Sequence, residues 1–148
     1  MRKVIKAQME IGETHISNIE LDINSRDEIP KVLMGLQHIY TNQGVWDEIC
    51  PILENITPEG VDPNNGRQGM SYWNMLVLAT LRLNCDWDYD KLKEMADQHT
   101  SIRQMLEISI LNWDKAYSLQ TLKDNVALLT PEVLGQINQK VVRRSEEH

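Results

Sequence analysis

The stretch SYWNMLVLATLRLNC, residues 71–85, is apolar nearly all the way round. From Met75 to Leu83 only Thr80 and Arg82 interrupt it. A surface helix carries an apolar stripe on one side, whereas a helix apolar on every side belongs inside a fold. Ser71 is a natural N-cap, because its hydroxyl accepts one of the N–H groups that the first turn leaves unbonded. The stretch therefore predicts a buried central helix, and the rest of the chain reads as what surrounds it.

On its C-terminal side, residues 89–99 (YDKLKEMADQH) place Leu92, Met95, Ala96 and His99 on one helical face. Residues 100–108 (TSIRQMLEI) place Ile102, Met105 and Leu106 on one side, and residues 109–117 read as a connector. SLQTLKDNVALL, from Ser118, opens at a Ser cap and aligns Leu119, Leu122, Val126 and Leu129. TPEVLGQINQKVV, from Thr130, opens with a Thr cap and Pro at the first helical position, where its missing N–H costs nothing. Leu134, Ile137 and Val141 form its stripe.

On the N-terminal side lies TPEGVDPNNGRQGMS, residues 57–71, rich in Pro, Gly and Asn. It reads as a loop and a possible internal boundary. Before it, residues 27–42 and 44–56 show helical periods, with Pro51 expected to kink or restart the second helix. Residues 1–26 lack that period and read as a short extended arm. The expected architecture is mainly α: a bundle of six to eight helices over residues 27–148, preceded by the arm.

The chain has 148 residues, 41% of them hydrophobic and 25% charged, which fits one globular domain. No apolar run approaches the ~20 residues of a membrane span. The N-terminus has basic residues but no apolar core of a secretory signal. Cys50 and Cys85 stand alone, which suits reduced thiols and a cytoplasmic location. The formal net charge is −7, so any nucleic-acid contact must come from local patches.

Asp86, Asp88, Asp90, Glu94 and Asp97 crowd the sequence beside the central helix. Their opening spacing imitates a calcium loop, but that loop needs Gly at its sixth position and a bidentate Glu at its twelfth. Lys91 and Asp97 stand there instead. Zinc would need three or four converging ligands, and Cys85 and His99 have no such spacing. The cluster reads as helix capping and a solvated face: Asp88 at the N-cap, Asp90 in the first turn, Lys93 and Asp97 paired at i, i+4, and His99 closing the helix. No metal or cofactor is expected. No Ser or Cys has a His and an acid in a recognisable catalytic arrangement, and GRQG at 66–69 is too short for a phosphate loop.

Three passages in order carry a family resemblance: GRQGMSYWNMLVLATLRLNC, then NCDWDYDKLKEMADQH with RQML behind it, then LQTLKDNVALLTPE. Together with the opening MRKVIKAQMEIGE and SRDEIPKVLMGLQHIY, this order resembles the N-terminal region of bacterial insertion-sequence transposases of the DDE type. Gln68 stands where such proteins often have Pro, which leaves the loop less rigid here. The resemblance implies a helical module that helps bind the inverted-repeat ends of the element and brings subunits together. Such transposases continue into an RNase-H-like domain that holds the catalytic acids. The expectation is thus a module truncated before that domain and not an enzyme on its own. The acids of residues 86–97 are close neighbours at one helix start and cannot replace a triad gathered from separate strands.

Two functions stay open. One is DNA binding and assembly, with Arg67, Lys91, Lys93, Arg103, Lys140, Arg143 and Arg144 as candidate contacts. Arg103 would sit on the second helix of a helix-turn-helix-like unit. The other is a protein-interaction module that self-associates or pairs with full-length transposase, without DNA binding. Calorimetric titration with calcium, magnesium and zinc is expected to be flat. A sub-micromolar site lost in Asp88→Asn would overturn the capping account of the acidic cluster.

Overall fold

The computed structural model describes residues 15–19, 21, 28–56, 70–108 and 115–146; the side chains of residues 17 and 142–146 are outside that description. Among the described residues there is a 3-10 turn, Ile16–Asn18, and seven α-helices, with no strand. These are α1 (Glu28–Thr41), α2 (Gln43–Ile56), α3 (Tyr72–Cys85), α4 (Tyr89–Gln98), α5 (Thr100–Met105), α6 (Leu119–Val126) and α7 (Pro131–Glu146). The mainly α bundle and the number of its helices agree with the expectation from periodicity.

Helix α3 is the axis of the bundle. Every residue from Tyr72 to Ala79 is buried, and so is Leu81. The helix packs against α1, α4 and α6. Ser71 caps it as expected, accepting the Asn74 N–H at 3.1 Å. Trp73 gathers the neighbouring helices: its ring meets Tyr40 of α1 at 5.0 Å and Trp46 of α2 at 6.0 Å, both edge-to-face. That geometry sets the positive edge of one ring against the negative face of the other. At its other end α3 stops at Asp86, which adopts φ 56° and ψ 48°. Asp tolerates this left-handed conformation better than most residues, and here the backbone N–H of Asp86 bonds Arg82 O. The first acid of the acidic cluster thus terminates one helix, and Asp88 begins the next by accepting the Lys91 N–H at 2.8 Å.

Two expectations change. Pro51 does not restart α2, which runs through it from Gln43 to Ile56. The carbonyl that Pro51 leaves without a donor is that of Asp47, one turn earlier. Both residues are exposed, where water serves as a partner. The described part of the N-terminal arm is a docked 3-10 turn. Ile16 and Ile19 are buried, and Gln37 Nε2 of α1 donates to Ile16 O at 2.8 Å and Ile19 O at 3.1 Å. The rest of the arm and the loop at 57–69 lie outside the described residues.

Leu78 is fully buried at the middle of α3. Leu78→Ala should lower stability by about 2–5 kcal/mol in urea unfolding, through lost transfer energy and the cavity left behind. Leu78→Asp should abolish folding, since it buries a charge without a partner. A Leu78→Asp protein that melts like the parent would remove α3 from the centre.

Candidate functional site

The expected helix-turn-helix-like unit is α4 and α5, and a single residue, His99, separates them. The turn of such motifs usually has three or four residues. His99 ends α4 through its backbone, donating its N–H to Met95 O at 2.8 Å. Its imidazole does not turn back to the carbonyls of α4. Nδ1 accepts the Ile102 N–H at 3.3 Å and caps α5. A ring nitrogen that accepts carries no proton, so this imidazole is neutral with its proton on Nε2. Half-burial lowers its pKa from the ordinary value, in the same direction.

Arg103 has a role that its sequence position did not suggest. It is 2% exposed. Its guanidinium donates to Ala96 O and Asp97 O, both at 3.1 Å, and to Lys115 O at 2.9 Å. It therefore ties the end of α4 and the connector before α6 onto α5. The expectation that Arg103 enters a DNA groove is corrected on this point, because a guanidinium buried to this degree and engaged with backbone carbonyls is not open to phosphate. The sides of α5 that remain are Thr100, exposed, with Ser101 and Gln104 half-buried.

Lys93 acts from α4 in a similar way. It pairs with Asp97 at 2.9 Å and donates to Tyr117 O at 3.0 Å. The connector is thus held twice, by Arg103 at Lys115 and by Lys93 at Tyr117. The connector is held a third time, since the Tyr117 hydroxyl accepts from Asn74 Nδ2 of α3 at 2.7 Å. Burial raises the pKa of this phenol, against the lowering by Asn74. Trp73 Nε1 donates to Met105 O at 2.8 Å and anchors the end of α5 to α3.

The other candidates are dispersed. Lys91 lies on the surface in a 2.9 Å pair with Glu94, with side chains 48% and 54% exposed, and such pairs contribute little. Lys140 is half-buried on α7. Arg143 and Arg144 fall on the last turns of α7 with side chains outside the described residues, as does Arg67 in its entirety. The acidic cluster forms no metal cradle: among the described residues no group of three or more His, Cys, Asp and Glu could hold an ion. No described helix is long and apolar enough to cross a membrane.

One concave surface was not foreseen. A furrow of about 480 Å³ lies between α1 and α7 with α3 as its floor. Val32, Leu36, Ile39, Leu76, Leu134 and Ile137 make it apolar, with Glu28, Lys31, Thr80, Asn84 and Asn138 among the polar groups that line it. Gly35 and Gly135 also line it, inside α1 and α7, and a Cβ at either would meet nothing within 4 Å. Glycine inside a helix costs about 1 kcal/mol relative to alanine.

The chain matches no protein-family model, no curated protein and no solved structure.

Arg103→Ala should lower stability by about 3 kcal/mol in urea unfolding, because it removes a buried side chain together with three hydrogen bonds, one of them to the buried Ala96 carbonyl. Arg103→Lys should recover only part, since an ammonium lacks the planar fork that reaches separate acceptors. Parental stability in Arg103→Ala would remove it from the core.

Proposed function

We propose that this chain is the helical DNA-binding and assembly module of an insertion-sequence transposase. The observation that carries the reading is the order of the three passages that resemble those proteins. The geometry supports it in a specific way: the residues of those passages interlock. Trp73 and Asn74 come from the first, Lys93 and Arg103 from the second, and Tyr117 stands at the entry to the third. Trp73 binds Met105, Asn74 binds Tyr117, and Arg103 and Lys93 bind the connector. Motifs whose residues hold one another make a scaffold signature, which is what a resemblance limited to a non-catalytic module needs.

With Arg103 and Lys93 engaged inside the fold, contacts with DNA then fall to the other basic residues. The strongest set by sequence is Lys140, Arg143 and Arg144 on α7, in the least acidic third of the chain. The second reading, a protein-interaction module, is favoured by the furrow. Its apolar walls and its two interior glycines suit close packing of a partner.

Few phosphate contacts should give a shallow salt dependence. Each neutralised phosphate contributes about 0.9 to the slope of log K against log salt on duplex DNA. Roughly three or four contacts give a slope near about −3. Gel-shift titrations on the inverted repeats flanking the gene should show this, with Arg143→Ala and Arg144→Ala together weakening binding. No shift at low salt, with a dimer mass in solution, would favour the interaction reading. A slope of about −8 would mean a basic surface far larger than the described residues supply.

A further inference from the structure

We propose that the His99 imidazole is a proton-operated latch between α4 and α5: neutral, it caps α5 and holds that helix on the core, and protonated, it releases the first turn. This goes beyond the proposed function and does not depend on it. The geometry carries it. His99 is the single residue between two helices, so no loop absorbs a change there. Its Nδ1 is an acceptor for the Ile102 N–H, and a proton on Nδ1 turns that acceptor into a donor facing a donor. The charge also appears at the positive end of α5.

Burial disfavours the imidazolium, and it is the cause of the lowered pKa. Arg103, one turn further along α5, is a buried cation reaching back to Ala96 O and Asp97 O. Asp97 is paired with Lys93. The elements packed on α4 and α5 bring Arg82, over the Tyr89 ring at 4.3 Å, from α3; Lys123 and Asp124 from α6; and Glu28, Lys31 and His38 from α1. Burial keeps the His99 pKa below its ordinary value, so the closed latch is the form at neutral pH. The sign follows: the stabilising contribution is complete above the ordinary histidine pKa and is lost as pH falls through the lower folded value.

Release would loosen the buried side of α5, where Ile102 and Met105 are fully buried and Arg103 nearly so. Arg103 and the Trp73 bond to Met105 tie that side to α4, the connector and α3. A proton at His99 therefore acts on the junction of three elements.

The test is amide exchange at Ile102, measured from about pH 7.5 to about pH 4.5 across the histidine range. The parent is compared with His99→Asn, because Asn is among the best N-caps and does not titrate. The parent should lose protection relative to the variant by about fivefold on acidification, the factor that ~1 kcal/mol of lost cap gives. His99→Ala, with no acceptor, should show that roughly fivefold lower protection at every pH. Equal profiles for the parent and His99→Asn, or full protection in His99→Ala, would overturn the latch. If the variants do not fold, nitrogen NMR of the parent imidazole decides. An unprotonated Nδ1 at neutral pH, titrating with the same midpoint as Ile102 exchange, supports the latch. A proton on Nδ1 at neutral pH, or separate midpoints, overturns it.

Discussion

A buried guanidinium is the constraint on which the second half of this bundle depends. Arg103 is charged and almost without solvent, so every N–H it fails to place on an acceptor is costly. Its Nη1 donates to the carbonyls at the end of α4 and its Nη2 to the connector before α6. Those carbonyls need donors as well, since the last turn of a helix has none of its own. The need is mutual, and it fixes where α4 ends, how α5 lies and where the chain must pass on its way to α6. Lys93 and Asn74 then hold the same connector from α4 and α3.

Much of the fold was legible because it rests on local rules. Helix α3 announced itself by being apolar all round, and Ser71, Asp88 and Ser118 cap helices through the hydroxyl or carboxylate oxygen that their types supply. Thr130 caps α7 with the Val133 N–H at 3.3 Å. What sequence did not yield are the roles set by partners far along the chain. On a helical wheel of about 100° per residue, Arg103 stands some ~60° from Leu106, at the border of the apolar arc. A border position is open to solvent or closed, depending on what packs there, and here the connector closes it. His99 was legible as a helix end, but the sequence could not say that its ring serves the following helix.

The acidic cluster shows the same distinction. Read as a set, its carboxylates suggest a ligand sphere. Read singly, they act apart from one another. Asp86 ends α3 in the left-handed conformation, Asp88 starts α4, and Glu94 and Asp97 pair with Lys91 and Lys93. Helix ends attract charge because their backbone groups are unbonded and their dipoles are uncompensated. Only Asp86 and Trp87 separate the end of α3 from the cap of α4. Two helix ends that close together gather carboxylates without any of them converging on a common point.

The use of cations inside the fold decides where a binding surface can lie. Lys93 and Arg103 are engaged with backbone carbonyls inside the fold and Arg82 lies over Tyr89, so Lys91, exposed beside Glu94, is the cation that α4 and α5 turn to solvent. Helix α7 is different. It packs on α2, its Ile137 is buried, and its Leu134 and Val141 stand along the furrow opposite α1. The same helix carries Lys140, Arg143 and Arg144 toward its end. A partner lying in the furrow and a phosphate backbone following the basic turns would therefore engage one element. DNA binding and subunit assembly are alternatives, but under the readings proposed above both would draw on α7, so occupation of the furrow would bear directly on the helix whose sequence carries the basic residues.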